Sequence, residues 1–190
     1  MKIEVTKITS WTDVLNAARF TQRKSLKSGE PSVNWKRKII KSEHSPLRCL
    51  MFNIDFYDIP YYVSVHLVRH VHSQPFVSSG RPDVNKENPP RSEQKKTDLV
   101  NMRLFLNAQE IIHISRVRLC NKAELETRQI WAKVISELKK IEPELANACV
   151  PNCIYRGFCP EFKSCGFSSG DLFKLRLTKY DNDLNGTKEN

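Results

Sequence analysis

The chain has no apolar run approaching the roughly 20 residues that a bilayer-spanning helix needs. Its first residues, with Glu4, Lys7 and Trp11, lack the layout of a secretory leader. Both absences lead to the expectation of a cytoplasmic protein with no membrane partner. With no export signal, the six cysteines are expected as reduced thiols or metal ligands and not as disulfides. Nor is there an internal repeat or a dominant basic block. The basic residues run from Lys2 to Lys188, and the aromatic residues do not interleave with them as a base-stacking platform requires. That speaks against a nucleic-acid partner, yet a net charge of +10 still calls for anions. Nucleotides and dinucleotide cofactors are anions too.

At 190 residues and 39% apolar content, the chain is long enough for one domain with a real core. Ile3 and Val5 alternate with polar neighbours and predict a short strand. Ser10 or Thr12 caps a helix through Val14, Leu15 and Ala18. The basic stretch Lys24 to Ser42, with Gly29 and Pro31, reads as a loop. Leu50, Phe52, Ile54 and Phe56 alternate with Met51, Asn53, Asp55 and Tyr57 as a half-buried strand does. Asp58 and Pro60 suit a helix start, and that helix would carry Arg69 and His70 near its C-terminal end. Pro82 to Asp98 reads as a mobile loop. A helix from Asn107 to Leu119 buries Ala108, Ile111, Ile112 and Ser115. Asn121 is the expected cap of the next helix, with Glu124 closing a capping box and Pro143 ending it. From Ser168 on, the chain turns polar and is expected to fray.

The stretch Leu67–Arg81 concentrates anion-binding chemistry. Arg69 and His70 end an apolar helical run, and Ser79 and Arg81 follow ten and twelve residues after Arg69. A guanidinium grips a phosphate through a planar two-pronged fork. A Ser-Gly turn adds a hydroxyl and unhindered backbone N–H groups. Plainer roles exist for each residue taken singly. Arg69 and Arg118 would suit helix C-termini, His113 would suit a core, Ser79 would suit a turn, and His66 and His70 are spaced as a metal pair.

This segment resembles the signature of the flavin-dependent thymidylate synthases, Arg-His-Arg, seven residues, then Ser-x-Arg. Arg69, His70, Ser79 and Arg81 fit, and Val71 stands where a third cation is usual. Asn107 to Arg118, followed by Ala123 to Arg128, resembles the family's Asn-x-Arg helix ending in Leu-Arg and the segment after it. Glu43-His44-Ser45-Pro46 resembles its flavin-side turn. The resemblance implies an α+β fold, a mixed α/β subunit with an antiparallel sheet flanked by helices. It implies a homotetramer whose active sites draw on several subunits. It implies FAD as cofactor, NADPH as reductant, and dUMP and methylenetetrahydrofolate as substrates. By residue it puts Ser45, Arg69, His70, Asn107 and His113 on the flavin, and His66, Ser79, Gly80, Arg81 and Arg118 on the nucleotide. Ser79 and Arg118 stand nearest the chemistry. Gln109 and His113 replace an arginine and an asparagine, and the stretch between Arg81 and Asn107 is shorter than usual. The second phosphate arginine is then Arg91 or, adjoining the helix, Arg103. A hydroxymethylating relative is an alternative reading.

Cys149, Cys153, Cys159 and Cys165, spaced C-x3-C-x5-C-x5-C, could enclose a zinc ion or an iron–sulfur cluster. They could equally be reduced thiols packed with Tyr155, Phe158 and Phe162. With the positive charge, this cluster is the basis of the remaining alternative, a zinc-stabilised nucleic-acid-binding protein. The expected organisation is a catalytic domain over 1–148, a Cys-rich candidate metal segment over 149–167 and a flexible polar tail over 168–190.

Overall fold

The alternation at Ile3, Val5 and Phe52 to Phe56 builds two neighbouring strands of a central sheet. In a computed structural model, which describes residues 1–186, β1 (Lys2–Lys7) pairs antiparallel with β2 (Met51–Pro60), setting Ile3 opposite Phe56 and Val5 opposite Ile54. The other two strands are β3 (Ser73–Val77) and β4 (Leu99–Asn107), and the order is β1-β2-β4-β3 with every pairing antiparallel. Inward residues of the two central strands, Phe52, Ile54, Phe56, Met102, Leu104 and Leu106, are buried. Burial alternates along both strands, as period-two side-chain geometry requires when one face is covered.

Helices cover that face. Helix α1 (Trp11–Thr21) opens with a capping box between Ser10 and Asp13 and buries Trp11 and Val14. Helix α2 (Val33–Lys41) lies inside the stretch expected to be a loop. Its Trp35, Ile39 and Ile40 join the core, and Ser32 caps it through the Trp35 N–H. The lysines and arginines interleaved with that apolar stripe masked it: Lys38 and Lys41 are exposed, while Lys36 is itself buried and paired with Glu30. Helix α3 (Tyr61–Leu67) is short and ends before Arg69 and His70, which lie in the turn beyond it. Asp58 does not cap it. Asp58 has φ +57° at a bulge in β2, and the helix's first N–H groups donate instead to loop carbonyls, Tyr61 to Asp98 at 2.8 Å and Tyr62 to Lys96 at 3.0 Å.

Helix α4 (Ala108–Arg118) starts where β4 stops, with Asn107 Oδ1 accepting from the Glu110 N–H at 2.9 Å. Helix α5 (Leu125–Ile141) is capped by Glu124 itself, whose carboxylate accepts from the N–H groups of Glu126 and Thr127, and not by Asn121. Buried Trp131 donates its indole N–H to Ser115 Oγ at 2.9 Å, tying α5 to α4. Helices α6 (Pro143–Ala148) and α7 (Asn152–Arg156) follow. The segment expected to fray contains α8 (Asp171–Asn185), which buries Phe173 and Leu184. Two apolar anchors eleven residues apart on one helix face, with Tyr180 packed beside the core between them, dock it, although most of its other positions are polar or, like Leu172 and Leu175, exposed. Residues 187–190 of the expected tail lie outside the described residues. No helix among the described residues is long and apolar enough to cross a membrane.

Candidate functional site

One set of site residues gathers where α3, α4 and α5 meet. Arg118, in the last turn of α4, donates from Nε to His70 Nε2 at 3.0 Å and from Nη2 to the backbone carbonyl of His66. Because Nε2 accepts this bond, the neutral His70 ring carries its proton on Nδ1, which faces the Glu110 carboxylate at 4.0 Å. Burial, together with the Arg118 charge, pushes the His70 pKa down to about 4, against the pull of Glu110. Arg118 is itself half-buried, and burial followed by the nearby Arg69 charge lowers its pKa. Two guanidiniums that close repel each other, so an anion between them relieves both. His66 is steadied from α5. Its Nδ1 lies 2.8 Å from Thr127 Oγ1, whose proton goes to Glu124 at 3.0 Å.

Glu110 was not among the residues singled out from sequence. It is 4% exposed and stands 3.5 Å from His113 Nδ1 as well as facing His70. The signal for it was a carboxylate inside the otherwise apolar stripe of α4. Glu43 lies 3.8 Å from His113 Nε2 and pairs with Arg116, whose guanidinium stacks 3.5 Å from the Tyr155 ring centroid. Ser45 opens a one-turn 3-10 helix (Ser45–Cys49) and is exposed. The same turn is fastened to α4 by Arg48 Nε donating to Gln109 Oε1 at 2.6 Å. Asn107 uses its side-chain oxygen as the α4 cap.

A second set lies at the other end of β3. Ser79, Gly80 and Arg81 border a cleft of about 830 Å³, with Arg91, Lys95 and Lys96 across it. The Arg81 N–H donates to Ser79 Oγ at 3.2 Å, and the Arg81 side chain pairs with Asp83. A Cβ on Gly80 would stand 2.9 Å from Gln94 Oε1, so the glycine permits the Gln94 amide to bind the Gly80 carbonyl. Arg103 is elsewhere. It forms a two-pronged pair with Asp55, its register partner on β2, at 2.6 and 2.8 Å on the outer face of the sheet. Arg91, not Arg103, is the second arginine at the cleft. Side chains alternate across a strand, and position 103 falls on the outward side.

The two sets are separated within the chain. Ser73, whose hydroxyl donates to the His70 carbonyl at 2.7 Å, starts β3 beside the cluster and pairs with Leu106, while Val77 at the other end pairs with Met102. The strand between them is roughly 13 Å long. Ser79 therefore lies well away from the Arg118–His70 cluster.

Among the cysteines, Cys149 is buried and donates its thiol to the Leu145 carbonyl at 3.3 Å. Burial pushes its pKa up to about 12. Cys153, Cys159 and Cys165 line a different, small cavity together with Cys120. No three His, Cys, Asp or Glu side chains among the described residues are already placed to hold a metal ion.

No family model matches the chain. A 74-residue segment, 39% of this chain, is 39% identical to a flavin-dependent thymidylate synthase of Saccharolobus solfataricus, and 73 residues are 37% identical to one of Clostridium tetani. The chain spans only 28% of the length of each of these relatives. A longer match, 31% over 93 residues, covers 37% of the same-named protein of Pyrococcus horikoshii. Among solved structures, the flavin-dependent thymidylate synthase of Helicobacter pylori complexed with FAD and dUMP superposes with a TM-score of 0.66, at 15% identity over 79% of this chain and 100% of that one. A UMP/dUMP methylase of Streptomyces cacaoi gives 0.57 at 15% identity over 83% and 96%. Over the matching segment the chain is similar in sequence to flavin-dependent thymidylate synthases, and over most of its length its antiparallel α+β fold is the fold of these solved structures.

Proposed function

We propose that the protein is a flavin-dependent enzyme that transfers a one-carbon unit from methylenetetrahydrofolate to C5 of dUMP. The observation that carries this reading is the Arg118–His70–Glu110 arrangement. Its Arg118 and His70 fall at positions that resemble the family's motifs, and it presents a cation, braced from behind, to an exposed neighbouring arginine, Arg69. Arg118 would rest against the pyrimidine carbonyls, where a fixed positive charge stabilises negative charge developing on the ring as C5 becomes nucleophilic. His70, kept neutral, holds the guanidinium without competing with it for the anion.

The residues present fit FAD. Arg69 offers an exposed cation for its phosphates, and Ser45, Asn107 and His113 lie on the turn and helix joined by Arg48 and Gln109. Bound reduced FAD supplies the hydride, with NADPH as the reductant that recharges it. Ser79, Arg81 and Arg91 would take the dUMP phosphate in the cleft. A nucleotide cannot bridge both sets within one chain, so this reading requires the cleft of one subunit to meet the Arg118 cluster of another. A homotetramer of the family's kind meets that need.

The test begins with colour. Purified protein should be yellow, bleach on reduction, bind dUMP and release the C5 proton of dUMP when folate and reductant are supplied. A colourless protein that takes up neither FAD nor dUMP would end this reading.

A further inference from the structure

Cys120 lies two residues beyond the end of helix α4 and 33 residues before Cys153, and nothing in its local sequence marks it. The fold nevertheless brings it to the same small cavity as Cys153, Cys159 and Cys165. Four thiols from two distant parts of the chain thus face one space, and the fourth is not Cys149, which is buried against the Leu145 carbonyl.

Two further observations concern this cavity. First, Lys122 and Arg176 also line it. Four thiolates around a divalent ion carry a net negative charge, which nearby cations stabilise. Second, the loop 157–166 that carries Cys159 and Cys165 has no regular secondary structure, and its Phe158 and Phe162 are exposed. Lys122 Nζ reaches the Lys163 carbonyl at 2.9 Å, but apolar packing contributes little. A crosslink through a bound ion is the kind of force such a loop needs, because metal binding contributes directly to local folding.

We propose that Cys120, Cys153, Cys159 and Cys165 together bind one soft metal centre, a zinc ion or an iron–sulfur cluster. Thiolate sulfur is the preferred ligand of both. The thiols ring the cavity without yet converging on a point, and the loop between Gly157 and Gly166, both at positive φ, closes Cys159 and Cys165 onto the metal. The centre staples residues 153–165 to the end of α4, two residues beyond Arg118.

The experiment uses the full chain purified anaerobically. One sample is reconstituted with ferrous iron and sulfide, another with zinc, and each is desalted before iron, zinc and inorganic sulfide are measured. Stoichiometric zinc, or iron with matching sulfide, supports the site and identifies its occupant. Cys120→Ser and Cys153→Ser should each lose the metal, while Cys149→Ala, confirmed as folded by circular dichroism, should keep it. Metal retained in full by Cys120→Ser overturns the assignment, as does equal loss from folded Cys149→Ala. Wild type that holds no metal after either treatment, with the four thiols freely alkylated in the native state, overturns it as well.

Discussion

The Nε of Arg118 donates to Nε2 of His70 at 3.0 Å, and this single bond joins the end of α4 to the turn after α3. It also fixes which histidine nitrogen carries the proton and keeps a second positive charge out of the site.

That bond makes a pH prediction. The ordinary histidine value is 6.5, and in the folded chain burial and the Arg118 charge bring His70 to about 4. Between those values the unfolded chain binds a proton that the folded chain refuses, so stability from this group falls as pH drops from about 6.5 to about 4 and is unaffected above that range. The loss is on the order of 2 kcal/mol, after discount for partial solvent access. His70→Asn should flatten the stability curve in this window. In Arg118→Met, the His70 ring followed by NMR should titrate at a higher pH yet stay below the ordinary value, because burial, the larger cause, remains. A titration point unmoved by Arg118→Met would show that the arginine does not act on the ring.

Much of this arrangement was legible in the sequence. Strong alternation at Phe52 to Phe56 gave β2, a Ser10 or Thr12 cap marked α1, and the apolar spacing of Ala108, Ile111, Ile112 and Ser115 marked α4. The pairing of Arg69-His70 with Ser79-x-Arg81 pointed to an anion site. What escaped was settled at long range. Helix α2 has its apolar stripe diluted by lysines, and α8 is docked by two residues among fifteen. Glu110 gains its importance only because β4 runs straight into α4 and carries it beneath two histidines. Arg103 looked suitable by adjacency to α4, but strand parity turned it to Asp55. Cys120 has no local motif, since its partners come from beyond α5.

The two arginines left open by the sequence should separate cleanly. Arg91→Ala should weaken dUMP binding roughly tenfold or more, as expected for loss of one charge-assisted contact. Arg103→Ala should leave dUMP affinity unchanged, because its guanidinium is engaged by Asp55 on the outer face of the sheet. Calorimetric titration of both variants decides between them, and the reverse pattern would place the phosphate on the sheet's outer face.

Arg81→Ala should lower dUMP affinity roughly ten- to a hundredfold while sparing FAD. Its partner Asp83 is an exposed neighbour two residues away, so the pair can open to admit a phosphate at little cost. Equal loss of FAD and dUMP would mean that Arg81 supports the cleft itself and not the nucleotide.

Separation of the Ser79–Arg81 cleft from the Arg118 cluster predicts complementation between subunits. Arg81→Ala and Arg118→Met should each be nearly inactive alone. Co-expressed, they should form mixed assemblies in which about a quarter of the sites draw both halves from intact surfaces, if mixing is random. Turnover of the mixture well above that of either parent is the expected result. Mixed assemblies, verified by two affinity tags, that stay as inactive as the parents would mean that both halves of each site come from one chain.

Helix α8 supplies the last test, because a docked helix and a polar tail differ in what a single side chain is worth. Leu184 is 6% exposed and belongs to the main core. Truncating a buried leucine loses its transfer free energy and leaves a cavity, which together cost roughly 2–4 kcal/mol. Leu184→Ala should therefore lower stability by about that much in denaturant unfolding, whereas the same change at Leu175, which is 67% exposed on the same helix, should have little effect. If both substitutions were neutral, α8 would contribute nothing to the fold. A large effect at Leu184 alone would establish that the C-terminal helix braces α2, α6 and α7, the helices it packs against.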